Sequence, residues 1–198
     1  MGRAKQYERS QLLDRAISLF RRQGFHGTTT AQLVAALEVN RKSMYAEFGS
    51  KQGLFEAALA HYDDHHVSWI LRRIEATDAG LDDIEAAFSV CTEATETGGA
   101  GCLMCHTAVD RGALPEGSQR FVDAYLARLT QGFRHALTQG RQAGELSSDA
   151  DVDALADFFT VSRMGAAACM RASADPHQIR RACQVAITVL RSHRIPPR

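Results

Sequence analysis

The chain has 198 residues, 23 Lys plus Arg against 23 Asp plus Glu, 45% hydrophobic and 23% charged residues. Those proportions exclude a disordered or collagen-like chain, and the length is enough to bury a core without disulfide or metal staples. The opening MGRAKQYERSQLLDR is charged and lacks a signal-peptide stretch, and no window nears 18 uninterrupted apolar residues, so the expectation is a cytoplasmic chain with no membrane span.

The zero net charge conceals an asymmetry. Residues 1–53 hold nine Lys or Arg against four Asp or Glu, net +5, and the remainder holds 14 against 19, net −5. A basic end on an acidic body fits either a polyanion-binding face or a merely uneven surface.

In chain order, Leu13, Ala16, Ile17 and Phe20 recur at spacings of three and four, which predicts a helix ending near Gly24. Thr28-Thr29-Thr30 offers capping hydroxyls to a short second helix with Leu33, Val34 and Leu37 inward. Asn40 caps a third helix from Arg41 to about Phe48. Ser50 caps a long fourth one starting at Lys51 and burying Leu54, Phe55, Ala58 and Leu59. Five further helices are predicted over roughly 81–97, 102–112, 118–143, 151–172 and 176–193. Asp175-Pro176 is a strong start signal for the last of them, because Asp caps free N–H groups and Pro fits the first helical position. Gly98-Gly99-Ala100-Gly101 lacks the Lys and preceding strand of a phosphate loop and reads as a linker. No segment alternates as strands do, so the fold class is all-α.

Helices two and three, separated by Glu38-Val39-Asn40, have the dimensions of a helix-turn-helix whose second helix enters the major groove. The run from Leu19 to Phe55, LFRRQGFHGTTTAQLVAALEVNRKSMYAEFGSKQGLF, resembles the DNA-binding domain of the TetR/AcrR family of bacterial transcriptional regulators. Phe20, Gly24-Phe25, Thr28-Thr29, Leu33, Val39, Tyr45, Phe48, Ser50-Lys51 and Leu54-Phe55 carry the resemblance. It divides the chain into a helix-turn-helix domain over 1–53 and a helical effector-binding and dimerisation domain over 54–198. Arg41 and Lys42 are candidates for reading base edges. Thr29, Asn40, Ser43, Tyr45 and Lys51 complete the DNA-binding set, the hydroxyls and the ammonium suiting phosphate oxygens. Leu33, Val39, Met44 and Phe48 read as core. Four positions depart from the family pattern: Leu37 and Glu38 beside the turn, Thr30 where an apolar residue is usual, and Glu47, whose carboxylate would repel phosphates.

The resemblance implies a non-enzymatic, homodimeric repressor on a palindromic double-stranded DNA operator, paired through its last two helices and released by a small-molecule effector. Two stripes suit that pairing: Leu155, Phe158, Phe159, Ser162, Gly165, Ala166 and Cys169, then Ile179, Cys183, Ile187 and Leu190. For the effector pocket, Trp69, Phe88, Cys91, Met104, Phe121, Tyr125, Phe133 and Phe159 are candidates, each open to being ordinary core instead. Their low charge points to a hydrophobic or aromatic effector.

Cys102 and Cys105 share a helix face and are candidates for redox or electrophile sensing, with inert packing as the alternative. With His106 they also match C-x-x-C-H haem attachment, which the missing export signal argues against. His61 and His65 could pair on a metal, but nothing else supports it, so no metal or cofactor is expected.

Overall fold

In the computed structural model, residues 8–96 and 101–196 are described, and they form ten α-helices and no strand. The expected linker residues Gly98 to Ala100 lie outside them.

Helix α1 spans Arg9–Gly27, but its regular geometry breaks at Gly24, where φ is 71° and ψ is 178°. Only glycine enters that region without a Cβ penalty, which is why the helix breaks where the sequence pattern places its end. Helix α2, Thr30–Leu37, opens on a reciprocal capping box in which Thr29 accepts from the Gln32 amide and Gln32 accepts from the Thr29 amide. Helix α3, Arg41–Phe48, is capped by Asn40, and α4, Lys51–Tyr62, by Ser50. Phe20 and Phe55 meet edge to face at 4.8 Å and seal α1 against α4. The proposed boundary after Gly53 thus falls in the first turn of α4, whose buried face packs on α1.

The long fourth helix is interrupted rather than continuous. A π-helical turn, Asp63–Val67, joins α4 to α5, Ser68–Glu75. Arg128 on α8 holds both sides of that turn, 3.1 Å from Asp63 and 2.8 Å from Glu75. Nothing in a 3.6-residue periodicity announces such a widening.

The rest of the body comprises α6 (Leu81–Glu96), α7 (Leu103–Val109), α8 (Glu116–Gln142), α9 (Val152–Arg171) and α10 (Pro176–Ser192). A short 3-10 turn, Arg111–Ala113, follows α7. These spans lie within a few residues of the sequence expectations, and Asp175 caps α10 with Pro176 in its first turn. Helix α10 lies on α6 and α9, α8 on α5 and α9, and α7 touches α1 and α4. Phe88, Phe133 and Phe159 form the central aromatic cluster, with centroids 5.7 to 6.3 Å apart.

The α10 stripe has a different role from the one expected for pairing. Ile179, Cys183, Ile187 and Leu190 are buried inside the chain, because α10 faces α6 and α9. The large apolar residues left exposed on these two helices are Phe158 and Val161 on α9 and Val185 on α10, at 39%, 68% and 59%, and Gly165 and Cys169 of the expected α9 stripe are exposed with them.

Candidate nucleic-acid interface and effector cavity

Helices α2 and α3 form the pair expected of a helix-turn-helix. Arg41 and Lys42 stand exposed in the first turn of α3, and among the described residues neither pairs with a carboxylate. The Arg41 guanidinium lies over the Tyr45 ring at 5.5 Å. A hydrogen bond with Thr30, then Arg41, holds the Tyr45 phenol below its usual range. Thr30, polar where an apolar side chain was expected, therefore favours the ionised form of Tyr45.

Other members of the DNA-binding set hold the backbone as well. Asn40 Oδ1 accepts from the Ser43 amide at 2.8 Å, and Thr29 Oγ1 from the Gln32 amide at 3.2 Å, so both shape helix starts. Lys51 places its ammonium 4.4 Å from the Phe25 ring centre, and partial burial lowers its pKa. Glu47 does not stand as a free negative charge: Arg9 pairs with it at 3.3 Å, so the expected repulsion of phosphate is offset within the protein. Glu38 takes the left-handed conformation the turn requires, φ 55°, and its carboxylate accepts from Arg15 at 2.7 Å in solvent. The turn geometry is thereby kept without glycine.

Behind this helix pair is a cavity of about 140 Å³. Trp69, Cys91 and Cys102, singled out from the sequence, line it. The other pocket candidates lie elsewhere: Phe88, Phe133 and Phe159 in the aromatic core, Met104 fully buried, and Phe121 against Arg120. Tyr125 is buried with its hydroxyl 3.7 Å from Cys105 Sγ. Sequence reasoning favoured large apolar side chains and so passed over Arg21, Tyr62, His66 and Arg163, which also form the wall. One signal was present: Arg163 is the single charge between Asp157 and Arg171.

Arg21 makes the cavity wall continuous with the DNA-binding helices. Its guanidinium, on α1, donates twice to the Gly101 carbonyl, at 3.0 and 2.6 Å, just before α7. Arg171 of α9 donates to the Arg21 carbonyl at 3.3 Å. Gly101 has φ 74°, and a Cβ there would stand 2.5 Å from His106 Nε2 and 2.6 Å from the Ala167 carbonyl. Only glycine fits this junction of α1, α7 and α9.

Cys102 occupies the N-cap position of α7 without a side-chain cap bond, and its thiol is lowered to about 6 first by a hydrogen bond from Cys105, with Arg163 contributing, rather than by the helix start alone. The Cys91 thiol is also lowered to about 6, by Cys183 and by the Arg163 guanidinium that donates to it. Cys105 and Cys183 move in the opposite direction as donors and through burial. Haem attachment does not fit the C-x-x-C-H run: Cys105 and His106 are packed in the core, and His106 Nε2 bonds the Ala167 carbonyl at 3.3 Å. His61 and His65 stack at 4.1 Å with His61 bonded to Asp14, and no group able to hold a metal occurs among the described residues. No helix described is long and apolar enough to cross a membrane.

Comparison with known proteins agrees with this geometry. The model for bacterial regulatory proteins of the tetR family matches residues 12–58, and that for the tetracyclin repressor-like C-terminal domain matches residues 80–186. The chain is 31% identical to the HTH-type transcriptional repressor ComR of Escherichia coli, covering 96% of this chain and 90% of ComR. It is 26% identical to the HTH-type regulator YezE of Bacillus subtilis, covering 96% of this chain and all of YezE. The TetR family regulator CifR, solved with a 26 bp operator duplex, shares the fold with a TM-score of 0.75 at 24% identity, over 94% of this chain and 98% of that one. The chain belongs to the tetR family of bacterial transcriptional regulators, which bind DNA and are not enzymes.

Proposed function

We propose that this regulator is a homodimeric repressor that holds a palindromic operator through two copies of α3 and lets go when a small molecule enters the cavity. The observation that carries this is Arg41 and Lys42 standing exposed without a carboxylate on a helix whose start is capped by Asn40. In this reading the domain limits are 1–53 and 54–198, with Arg41 and Lys42 reading bases and Thr29, Ser43, Tyr45 and Lys51 positioning the backbone. Exposed Phe158, Val161 and Val185 supply the apolar face on which two chains pair. The pair sets the two readers roughly 34 Å apart, or a greater distance compatible with successive major grooves.

Release requires a ligand that favours one conformation over the other. The cavity wall is shared by Arg21 from α1 and Gly101 before α7, so a ligand that shifts that wall shifts the helix packed under the reading head. The test is a binding titration with DNA from upstream of the gene against scrambled duplex. Preference for the upstream duplex supports the reading, and equal binding of both refutes it.

A second trigger is favoured by the thiols. Cys102 and Cys105 are hydrogen-bonded, and Cys102 is the more acidic. A hydroperoxide would take two electrons and both thiol protons from the pair, leaving one disulfide, water and the corresponding alcohol. Oxidant-induced release that persists in Cys102→Ser sinks this trigger.

A further inference from the structure

The charges around the cavity are unbalanced. Arg21 and Arg163 both line it, and among the described residues no Asp or Glu does. Elsewhere in the body arginines meet carboxylates: Arg73 with Asp83, Arg128 with Glu75, Arg191 with Glu85. Arg21 donates to the Gly101 carbonyl, and Arg163 to the Cys91 sulfur. The Arg163 Nε is buried and has no acceptor among the described residues.

Arg163 is half-buried with its Nε withdrawn from solvent, a costly place for a cation without a carboxylate, and its charge persists with Cys91, Tyr125, Cys105 and Cys102 the groups that favour it. Tyr125 and Cys105 are held neutral by their raised pKa values, while Cys91 and Cys102, lowered to about 6, offer negative charge as thiolates. A thiolate at Cys91 balances the charge only in part, because it faces Nη1 and leaves Nε unanswered. The remaining wall is apolar or aromatic, with Trp69, Ile70, Val90 and Met170. The size is also selective: a dry cavity of about 150 Å³ in another protein takes one benzene ring, and this one is about 140 Å³.

We propose that the cavity binds a small monocarboxylate with a single-ring or short apolar body, its carboxylate seated on Arg163 and its body against Trp69 and Ile70. The ligand carboxylate supplies the acceptor that Nε lacks, and the ring replaces water against apolar walls. This rests on the effector reading above and narrows it to a chemical class. A planar guanidinium suits a carboxylate better than an ammonium does, which sets the side-chain specificity at position 163.

Trp69 is the single tryptophan and lies in the wall, so its fluorescence reports occupancy directly. The full chain is titrated with benzoate, phenylacetate and hexanoate, and in parallel with benzamide, phenylacetamide and hexanamide. At least one carboxylate should saturate the signal, with its amide weaker by roughly tenfold or more. Arg163→Gln should abolish that difference, and Arg163→Lys should keep part of it, circular dichroism confirming that both remain folded. Amides binding as well as acids, or no saturation by any of the acids, overturns the proposal, and neither result depends on a variant folding. Operator binding measured alongside separates the two claims. A carboxylate that saturates Trp69 without changing DNA affinity supports the site and removes its effector role. A neutral compound that releases DNA equally from wild type and Arg163→Gln removes the carboxylate assignment and leaves the effector role standing.

Discussion

Replacing Arg21 by Met tests whether α1 is mechanically joined to the cavity. The guanidinium makes two bonds to the Gly101 carbonyl, at 3.0 and 2.6 Å, and lies 6.0 Å from the Tyr62 ring centre. Bonds to a charged group contribute about 1.5–3 kcal/mol together, and a half-buried site takes the lower part of that range. Methionine keeps most of the aliphatic volume, so the expected loss is about 1.5–2 kcal/mol, or roughly 3–8 °C in Tm for a chain of this size. Arg22→Met is the control: it is the neighbouring exposed arginine and should change stability by about 0.5 kcal/mol or less. Melting curves of both variants, followed by circular dichroism, decide the matter. Equal Tm values for Arg21→Met and Arg22→Met would refute the idea that the Arg21–Gly101 bonds tie the reading head to the body.

Asn40→Ala removes the cap of α3 and should cost about 1 kcal/mol of stability, measured by urea unfolding, while leaving Arg41 and Lys42 in place. Burial holds the His106 pKa below 6.5, so the unfolded chain takes up the proton first. The resulting stability is present above pH 6.5 and declines as pH falls toward the lowered value; His106→Gln should flatten that part of a stability–pH profile. Val161→Glu places a carboxylate on the exposed apolar face of α9 and should convert a dimer to monomer in analytical ultracentrifugation with an unchanged circular dichroism spectrum. Arg9→Ala removes one cation from beside the Glu47 carboxylate and should weaken binding to every duplex alike, as read by titration on several sequences.

The fold was legible because its signals are local. Thr29, Asn40, Ser50 and Asp175 each announce a helix start through side-chain chemistry that operates within a few residues, and each does cap one. Gly24 marks a break for the same reason. The π turn at Asp63–Val67 was not legible, since the features that accompany it, Arg128 on one flank and packing on α8, are distant in sequence. The candidate DNA-facing residues were named by motif; the partners that modify them were not. Arg9 pairing with Glu47 and Thr30 lowering the Tyr45 pKa depend on how α1, α2 and α3 cross.

The cavity was the least legible part. Apolar size alone cannot distinguish Phe159, which stacks in the core, from Trp69, which lines the cavity, because both are large residues on helices of similar pattern. Charge was the better guide. Arg163, isolated in FFTVSRMGAAACM, had to be either exposed or turned inward for a purpose, and the fold half-buries it with its Nε inside. The α10 stripe misled in a related way: Ile179 to Leu190 marks a buried face, but periodicity does not say whether the covering surface comes from α6 or from a second chain.

Whether the capped and positively charged α3 places this chain on DNA is tested most directly by the salt dependence of binding to the duplex upstream of its gene. Log K should fall linearly with log salt, and Lys51→Ala should make that slope shallower by about 0.9 for each phosphate the variant leaves unneutralised. Arg41→Ala should instead lower the preference for that duplex over a scrambled one. Affinity that is insensitive to salt, or equal for both duplexes throughout the titration, would contradict the account.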